Sequence, residues 1–148
     1  MQLSENFSLE EMIKSQTALR KGISNQPSEE HTKALTELCI NLLEPIRWHF
    51  SKPISPSSGY RSPELCVAIG SSIHSQHAKG EAADFEVAGV DNYKLATYIE
   101  ETMDFDQLIL EYYTGGNTGW VHCSYKTIGN RKEVLTYNGK EYMSGLVL

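Results

Sequence analysis

The sequence lacks any apolar run long enough to cross a bilayer. Its longest apolar stretches, such as Leu108-Ile109-Leu110, fall far short of the roughly 20 residues that a spanning helix needs. The stretch from Met1 to Glu11 carries acidic residues and no apolar core, unlike a secretory leader, so the expected location is the cytoplasm. Positive charge is scarce as well. Thirteen Lys and Arg stand against nineteen Asp and Glu, a net charge of −6, and no net positive field draws in phosphates. Neither a membrane nor a nucleic acid is expected as a partner. Cys39, Cys66 and Cys123 form an odd set without CxxC spacing, which argues against a disulfide framework or a zinc ribbon and for reduced, buried thiols. Internal repeats and low-complexity segments are missing too.

What remains is ordinary for a globular protein: 148 residues, 40% apolar and 22% charged. That length suits one domain, residues 1–148, with a core that needs no staples, and a monomer is expected. Ser8 and Glu11 form an S-x-x-E capping box, and the helix it opens is expected to run to about Arg20, before Gly22. Ser28 caps a second helix, whose Ala34, Leu35, Leu38, Leu42 and Leu43 recur at helical spacing; Pro45 is expected to kink rather than stop it. Pro53 and Pro56 keep the Ser51–Gly59 stretch extended, and Ser62-Pro63 starts a short helix that ends at Gly70. Strands are expected at Ala82–Val87, Asp106–Tyr113 and Trp120–Lys126, with a helix capped by Asp91 between the first two. Edge strands at Arg131–Tyr137 and Tyr142–Leu148 flank an Asn138-Gly139 turn. Helices first, then mixed strands and helices, indicate an α+β fold.

The residues that stand out are His77, Asp84 and His122. His77 and Asp84 are seven apart, which on a helix separates them by about 10.5 Å and on one strand puts them on opposite faces. A loop entering a strand, turning at Gly80, can bring them together. By strand parity Ala82, Asp84 and Glu86 share one face, and Ala83, Phe85 and Val87 share the other. Trp120, His122 and Ser124 likewise share a face, so His122 can reach the groove of Asp84 from a neighbouring strand. Two histidines and one carboxylate make a three-ligand zinc site with an open position, a catalytic rather than a closed arrangement. A His and an Asp seven apart also occur by chance, so spacing alone does not establish a metal.

Three strings narrow the reading. Ser75 to Asp84 reproduces S-x-H-x-x-G-x-A-x-D; Ser58-Gly59-Tyr60-Arg61 stands upstream and Trp120-Val121-His122 downstream. In that order they resemble the D-alanyl-D-alanine carboxypeptidase family of zinc peptidases, which shares a superfamily with lysostaphin-type peptidases and hedgehog domains. The resemblance runs from about Phe7 to Ser124 and implies an antiparallel sheet with helices packed on one side. It implies one zinc per chain, held by His77, Asp84 and His122, and a peptide of peptidoglycan as substrate. Arg61 matches an arginine that contacts substrate and stabilises charge on its carbonyl, a task suited to a fixed fork of donors. Ser75 matches a serine beside the first ligand, a substrate or supporting contact, although a plain loop hydroxyl explains it equally.

The general base departs from part of the family, because Thr114 to Val121 holds no carboxylate. The nearest is Glu111, in a Gln107-Leu108-Ile109-Leu110-Glu111 strand that resembles a phage- and prophage-associated branch, which would act after release to the cell wall. Glu111 is the expected base, through a hairpin to His122; Glu81, Glu86 and His74 are the other candidates, and a solvated surface glutamate is the plain alternative. Trp120 and the Tyr112-Tyr113 pair are candidates to line a substrate groove, though packing is the commoner role of such rings. His31 and His49 read as partly exposed structural histidines. The expected activity is zinc-dependent hydrolysis of stem peptides, carboxypeptidase-like or endolysin-like. The alternative is a non-enzymatic phage structural or binding protein that retains the zinc site.

Overall fold

A computed structural model describes residues 1–148. The capping box forms as expected: Ser8 Oγ accepts from Glu11 N, and the Glu11 carboxylate accepts from Ser8 N. The helix then breaks early, into α1 (Leu9–Ile13) and α2 (Gln16–Lys21), where one helix to Arg20 was expected. Two interactions explain the break. Ser15 Oγ caps α2 by accepting from Ala18 N, a local alternative to helix continuation. The carbonyls that a continued helix would use are also taken from outside. Met12 O accepts from Tyr60 N at 2.7 Å, and Ile13 O accepts from Asn25 Nδ2 at 2.7 Å.

The second helical segment runs through α3 (Glu29–Leu38), a π-helical turn (Cys39–Leu43) and α4 (Glu44–Phe50). The wide turn is the local answer to Pro45. Proline has no N–H to donate and its ring crowds the carbonyl one turn back; slipping the ladder so that Glu44 N reaches Cys39 O relieves both. Leu35, Leu38, Cys39, Leu42, Leu43 and Ile46 stay on one fully buried face throughout. After α5 (Pro63–Ala68) and a short 3₁₀ turn (Gln76–Lys79) come β1 (Ala82–Phe85), α6 (Asn92–Thr102), β2 (Gln107–Glu111), β3 (Trp120–Ser124), β4 (Glu133–Tyr137) and β5 (Tyr142–Ser144).

The strands form one sheet in the order β1-β3-β2-β4-β5. Its pairings are antiparallel except for β2 and β4, which run parallel, so the expected antiparallel sheet is a mostly antiparallel one. Several strands end sooner than the sequence pattern suggests, and backbone geometry says why. Tyr112 (φ 57°) stops β2, Lys132 (φ 53°) delays β4, and Gly145 (φ 80°) stops β5. Left-handed residues cannot continue a pleated ladder. The Asn138-Gly139 turn forms, with Asn138 Oδ1 accepting from Lys140 N and Glu141 N.

One face of the sheet carries Ala83, Phe85, Leu108, Leu110, Val121 and Cys123, and packs on α3, α4 and α6 through Leu35, Leu38, Ile46, Leu95 and Ile99. Each such Leu, Ile or Phe contributes about 1.5–3 kcal/mol by leaving water. The period-2 alternation then fixes the opposite face: Asp84, His122, Ile109 and Leu135 lie side by side across four strands.

The β2–β4 pairing is pinned at its start by Asp106. Its buried carboxylate accepts from Arg131 N, Nε and Nη2, the last at 2.8 Å. Burial alone would raise this carboxyl, but the bonds from the Arg131 side chain and backbone outweigh it and hold it below the usual range. A carboxyl held down in the folded state contributes stability above its unfolded value of about 3.9, and that contribution is lost as pH falls toward the folded value. Asp106→Asn is therefore predicted to lower stability at pH 7 by about 1–3 kcal/mol, toward the low end because Arg131 is half exposed. Urea unfolding at pH 7 and pH 3 measures this. The gap between wild type and Asp106→Asn should shrink at pH 3, and an unchanged gap would contradict the assignment.

Candidate active site

The site grows from the loop that enters β1. Ser57 N and Ser58 N donate to Asp84 O, and Asp84 N donates to Ser58 O at 2.7 Å, so the Ser58–Arg61 segment lies along the outer edge of β1. Gly59 is required there, because a Cβ would collide with the Met12 carbonyl. The Gly59 carbonyl in turn accepts from His77 Nδ1 at 2.7 Å. A carbonyl only accepts, so Nδ1 carries the proton and Nε2 keeps its lone pair free. Ser75 caps the 3₁₀ turn by accepting from His77 N, which leaves its own hydroxyl proton to donate. Gly80 (φ 74°) ends the turn and feeds the chain into β1, the loop-into-strand entry expected of this spacing.

His122 sits directly opposite Asp84 in the β1–β3 register. His122 Nδ1 lies 2.9 Å from Asp84 Oδ1, and His77 Nε2 lies 3.4 Å from the same oxygen. The ligand atoms of these three residues all fall within 4.8 Å of one another. Tetrahedral zinc with bonds of 2.0–2.1 Å has ligand–ligand edges of about 3.3 Å, so the cluster is already near the size of a three-ligand face. Burial lowers the His77 pKa, with the Asp84 charge only partly opposing it, which favours the neutral imidazole that a metal needs. Burial would raise Asp84, but the hydrogen bond it accepts from His122 and the nearness of His77 hold it well below the carboxylate range. The donor set therefore fits zinc: two imidazole nitrogens and one ionised carboxylate oxygen.

Arg61 reaches Asp84 from the loop side. Its Nη2 donates to Asp84 Oδ2 at 3.2 Å and its Nε to Ser58 Oγ at 2.9 Å, and its remaining N–H donors are available to a ligand. Arg61 also lines a cleft of about 370 Å³ with Ser58, Lys14 and Thr17. A larger cleft of about 550 Å³, around Arg47, Trp48 and Lys52, shares no residue with the cluster.

The hairpin from β2 to β3 places Glu111 opposite Trp120, on the face of His122 and two residues further along. Gly119 makes that turn possible, since a Cβ there would collide with the Glu111 carbonyl. Trp120 Nε1 donates to Glu111 Oε2 at 2.7 Å, so the indole expected to line a groove holds a carboxylate. Burial raises the Glu111 pKa, the Asp84 charge adds to this, and His122, Trp120 and Arg61 oppose it. The other candidate bases are placed differently. Glu81 bonds Gln76, Glu86 is exposed and accepts from Asn92, and His74 is exposed. His31 bonds the Tyr60 hydroxyl and His49 stacks on Tyr98, both supporting the fold.

Sequence reasoning missed two groups. Asn92, fully buried, donates from Nδ2 to the carbonyls of Thr118 and Gly119 and anchors the hairpin; only its place just after the Asp91 cap hinted at it. Tyr137 and Tyr142 join the site face through β4 and β5, and no local signal linked them to Glu111. Tyr112 and Tyr113 part company. Tyr112 leans on Trp120, whereas the Tyr113 hydroxyl donates to Asp91 at 2.6 Å.

If the cluster is a metal site, purified protein will hold one zinc per chain, and His77→Ala or His122→Ala will each lower zinc content severalfold after dialysis. Elemental analysis reads this directly; stoichiometric zinc in the double variant would rule the site out.

A search among curated proteins returns no match to this sequence. The family model for peptidase M15 matches residues 5–124, from the first turn to the end of β3, and so takes in Arg61, His77, Asp84, Glu111 and His122. With most of its length matched and a ligand set of the right chemistry, the chain belongs to the peptidase M15 family, the zinc peptidases of D-Ala-D-Ala carboxypeptidase type.

Proposed function

We propose that this chain is a zinc-dependent peptidase that hydrolyses peptide bonds of peptidoglycan stem peptides, in the manner of a D-Ala-D-Ala carboxypeptidase or an endolysin. The observation that carries the reading is the His77–Asp84–His122 cluster with a half-buried carboxylate, Glu111, on the same sheet face. His77, Asp84 and His122 would hold zinc, which polarises a carbonyl and makes water more acidic.

The rest is work for the chain's own residues. Glu111 accepts a proton from the attacking water as its oxygen bonds to the carbonyl carbon. The same carboxyl returns that proton to the leaving amine as the C–N bond breaks. A pKa raised by burial suits both halves of this task, because the group must first take and then give. Trp120 fixes one carboxylate oxygen and leaves Oε1 to the proton. Arg61 supplies a guanidinium to the developing oxyanion from the opposite side. Ser75 holds the His77 turn and can donate its hydroxyl proton to a substrate carbonyl. No helix of the protein is long and apolar enough to cross a membrane. A phage or prophage source, with release to the wall, belongs to the same proposal and rests on the likeness of the β2 strand to that branch.

Glu111→Gln isolates the base. The carboxamide keeps an oxygen for the Trp120 N–H but cannot accept the proton. Zinc content and melting temperature should stay near wild type while kcat on a wall-peptide substrate falls roughly 10²–10⁴-fold. KM should change little, since the proton moves only in the transition state. Full activity of Glu111→Gln beside an inactive Glu81→Gln or Glu86→Gln would move the base elsewhere. A zinc-loaded protein that cleaves no wall peptide would favour a binding or structural role for the same site.

A further inference from the structure

Resting on the peptidase reading for the nature of the ligand, we infer that the cleft beside Arg61 binds a carboxylate of a peptide, and that Lys14, at the break between α1 and α2, sets that preference. The break assembles the cleft. Lys14 leaves α1 with an extended backbone (φ −62°, ψ 129°), and Met12 O accepts from Tyr60 N at 2.7 Å, so the α1–α2 junction lies against the Ser57–Arg61 loop. The cleft of about 370 Å³ at this junction is lined by both Lys14 and Arg61, and by no Asp or Glu.

Its lining is rich in free donors. Lys14 is exposed and takes part in no ion pair. Arg61 spends two of its five N–H donors, on Ser58 Oγ and Asp84 Oδ2, and three remain. Three hydroxyls add to these. Ser15 Oγ accepts from Ala18 N, Thr17 Oγ1 from Arg20 Nη2 and Ser58 Oγ from Arg61 Nε, so each keeps its own proton to donate. The one carboxylate at hand, Asp84, is already met by Arg61, His77 and His122. In a protein of net charge −6, two cations and a set of spare N–H and O–H groups with no acid among them suit an anion.

The rest of the lining narrows the class of anion. Leu65 and Ile69 of α5 give the cleft an apolar side, and Ile69 is 40% exposed. A bare phosphate would use the cations and leave that side idle. A long polyanion would call for a row of cations, and only two line the cleft. A carboxylate next to a small alkyl group uses both halves: its oxygens meet Lys14, Arg61 and the hydroxyls, and its alkyl group covers Leu65 and Ile69. Peptides offer that combination at a chain end or on an acidic side chain. Arg61 belongs to the cleft and also bonds Asp84, so a peptide held here by its carboxylate lies beside the metal cluster rather than on it.

The probe is isobutyrate, titrated into the zinc-loaded, isotope-labelled protein and followed by backbone amide shifts. It has a carboxylate, a small alkyl group and no peptide bond, so its binding is read whether or not the protein is a peptidase. Saturable shifts are expected at Lys14–Thr17 and Ser57–Arg61. Lys14→Met should raise Kd about tenfold, the scale of one lost charge-assisted hydrogen bond. Lys14→Arg, which keeps the charge, should stay within about threefold of wild type. Lys52→Met, which removes an exposed lysine outside the cleft, should bind as wild type does. Isobutyramide, which has the same shape without the charge, should not saturate. Shifts confined to the neighbours of His77, Asp84 and His122, equal binding by Lys14→Met, or tighter binding of inorganic phosphate than of isobutyrate would overturn the subsite. Isobutyrate binding without any peptide hydrolysis would retain the subsite and remove the peptidase reading; hydrolysis without isobutyrate binding would do the reverse.

Discussion

A buried carboxylate is costly unless it is fully paired, and the site is organised around one, Asp84. Its side chain is approached by Arg61, His77 and His122, and its backbone bonds Ser57 and Ser58. Those partners come from three separate stretches of chain: the Ser57–Arg61 loop, the 3₁₀ turn and β3. Removing Asp84 would leave the partly buried Arg61 guanidinium and His122 without their common acceptor, and would loosen the loop that carries Gly59 and Arg61. The pairing also sets the spacing of the cluster. Histidines drawn to one carboxylate oxygen at 2.9 and 3.4 Å stand close to where a tetrahedral ion needs them.

That loop depends on a helix that fails to continue. Had α1 run on to Arg20, Met12 O and Ile13 O would be spent inside it. Instead they accept from Tyr60 and Asn25, and Asn25 also bonds Tyr60 O and Ser62 N. The break at Lys14-Ser15 is thus the far end of the support for Gly59, whose carbonyl fixes the His77 tautomer. A local reading of the sequence sees a good capping box and helix-forming residues after it. The competing donors, Asn25 Nδ2 and Tyr60 N, lie 12 and 48 positions from the carbonyls they take and leave no local mark.

What was legible follows the same division. The meeting of His77, Asp84 and His122 could be read because it needs only strand parity, a turn at Gly80 and one strand pairing. Glu111 could be read because an antiparallel hairpin ties it to Trp120 over a short loop. The helix faces were legible from Leu35, Leu38 and Leu42, whose spacing reports burial directly. The roles of Trp120 and Ser75 were less so, since an indole N–H or a hydroxyl can serve either substrate or scaffold, and only the observed bonds to Glu111 and His77 reveal the scaffold part. The π-helical turn was invisible except as a disturbance expected near Pro45.

The strand order explains why the aromatic half of the face stayed hidden. β4 lies parallel to β2 and antiparallel to β3, so the chain between β3 and β4 stays at one end of the sheet and passes the start of β2. A parallel neighbour cannot be inferred from a hairpin turn, and its register depends on tertiary anchors such as the Asp106–Arg131 pair. Once that register is set, parity decides everything else. Leu135 falls beside Ile109 in the row of Asp84 and His122, and Tyr137 beside Glu111 in the next. Ile109 is almost fully buried, so the polar cluster has an apolar wall on its β2 side, and interactions among Asp84, Arg61 and the histidines are less screened than they would be in open water. A one-residue slip of β4 would turn Tyr137 toward the core and Thr136 toward the site. The buried Thr136 hydroxyl, which donates to Gly145 O, would then lose its partner, so the bond that keeps β5 in place also keeps the tyrosines on the face of Glu111.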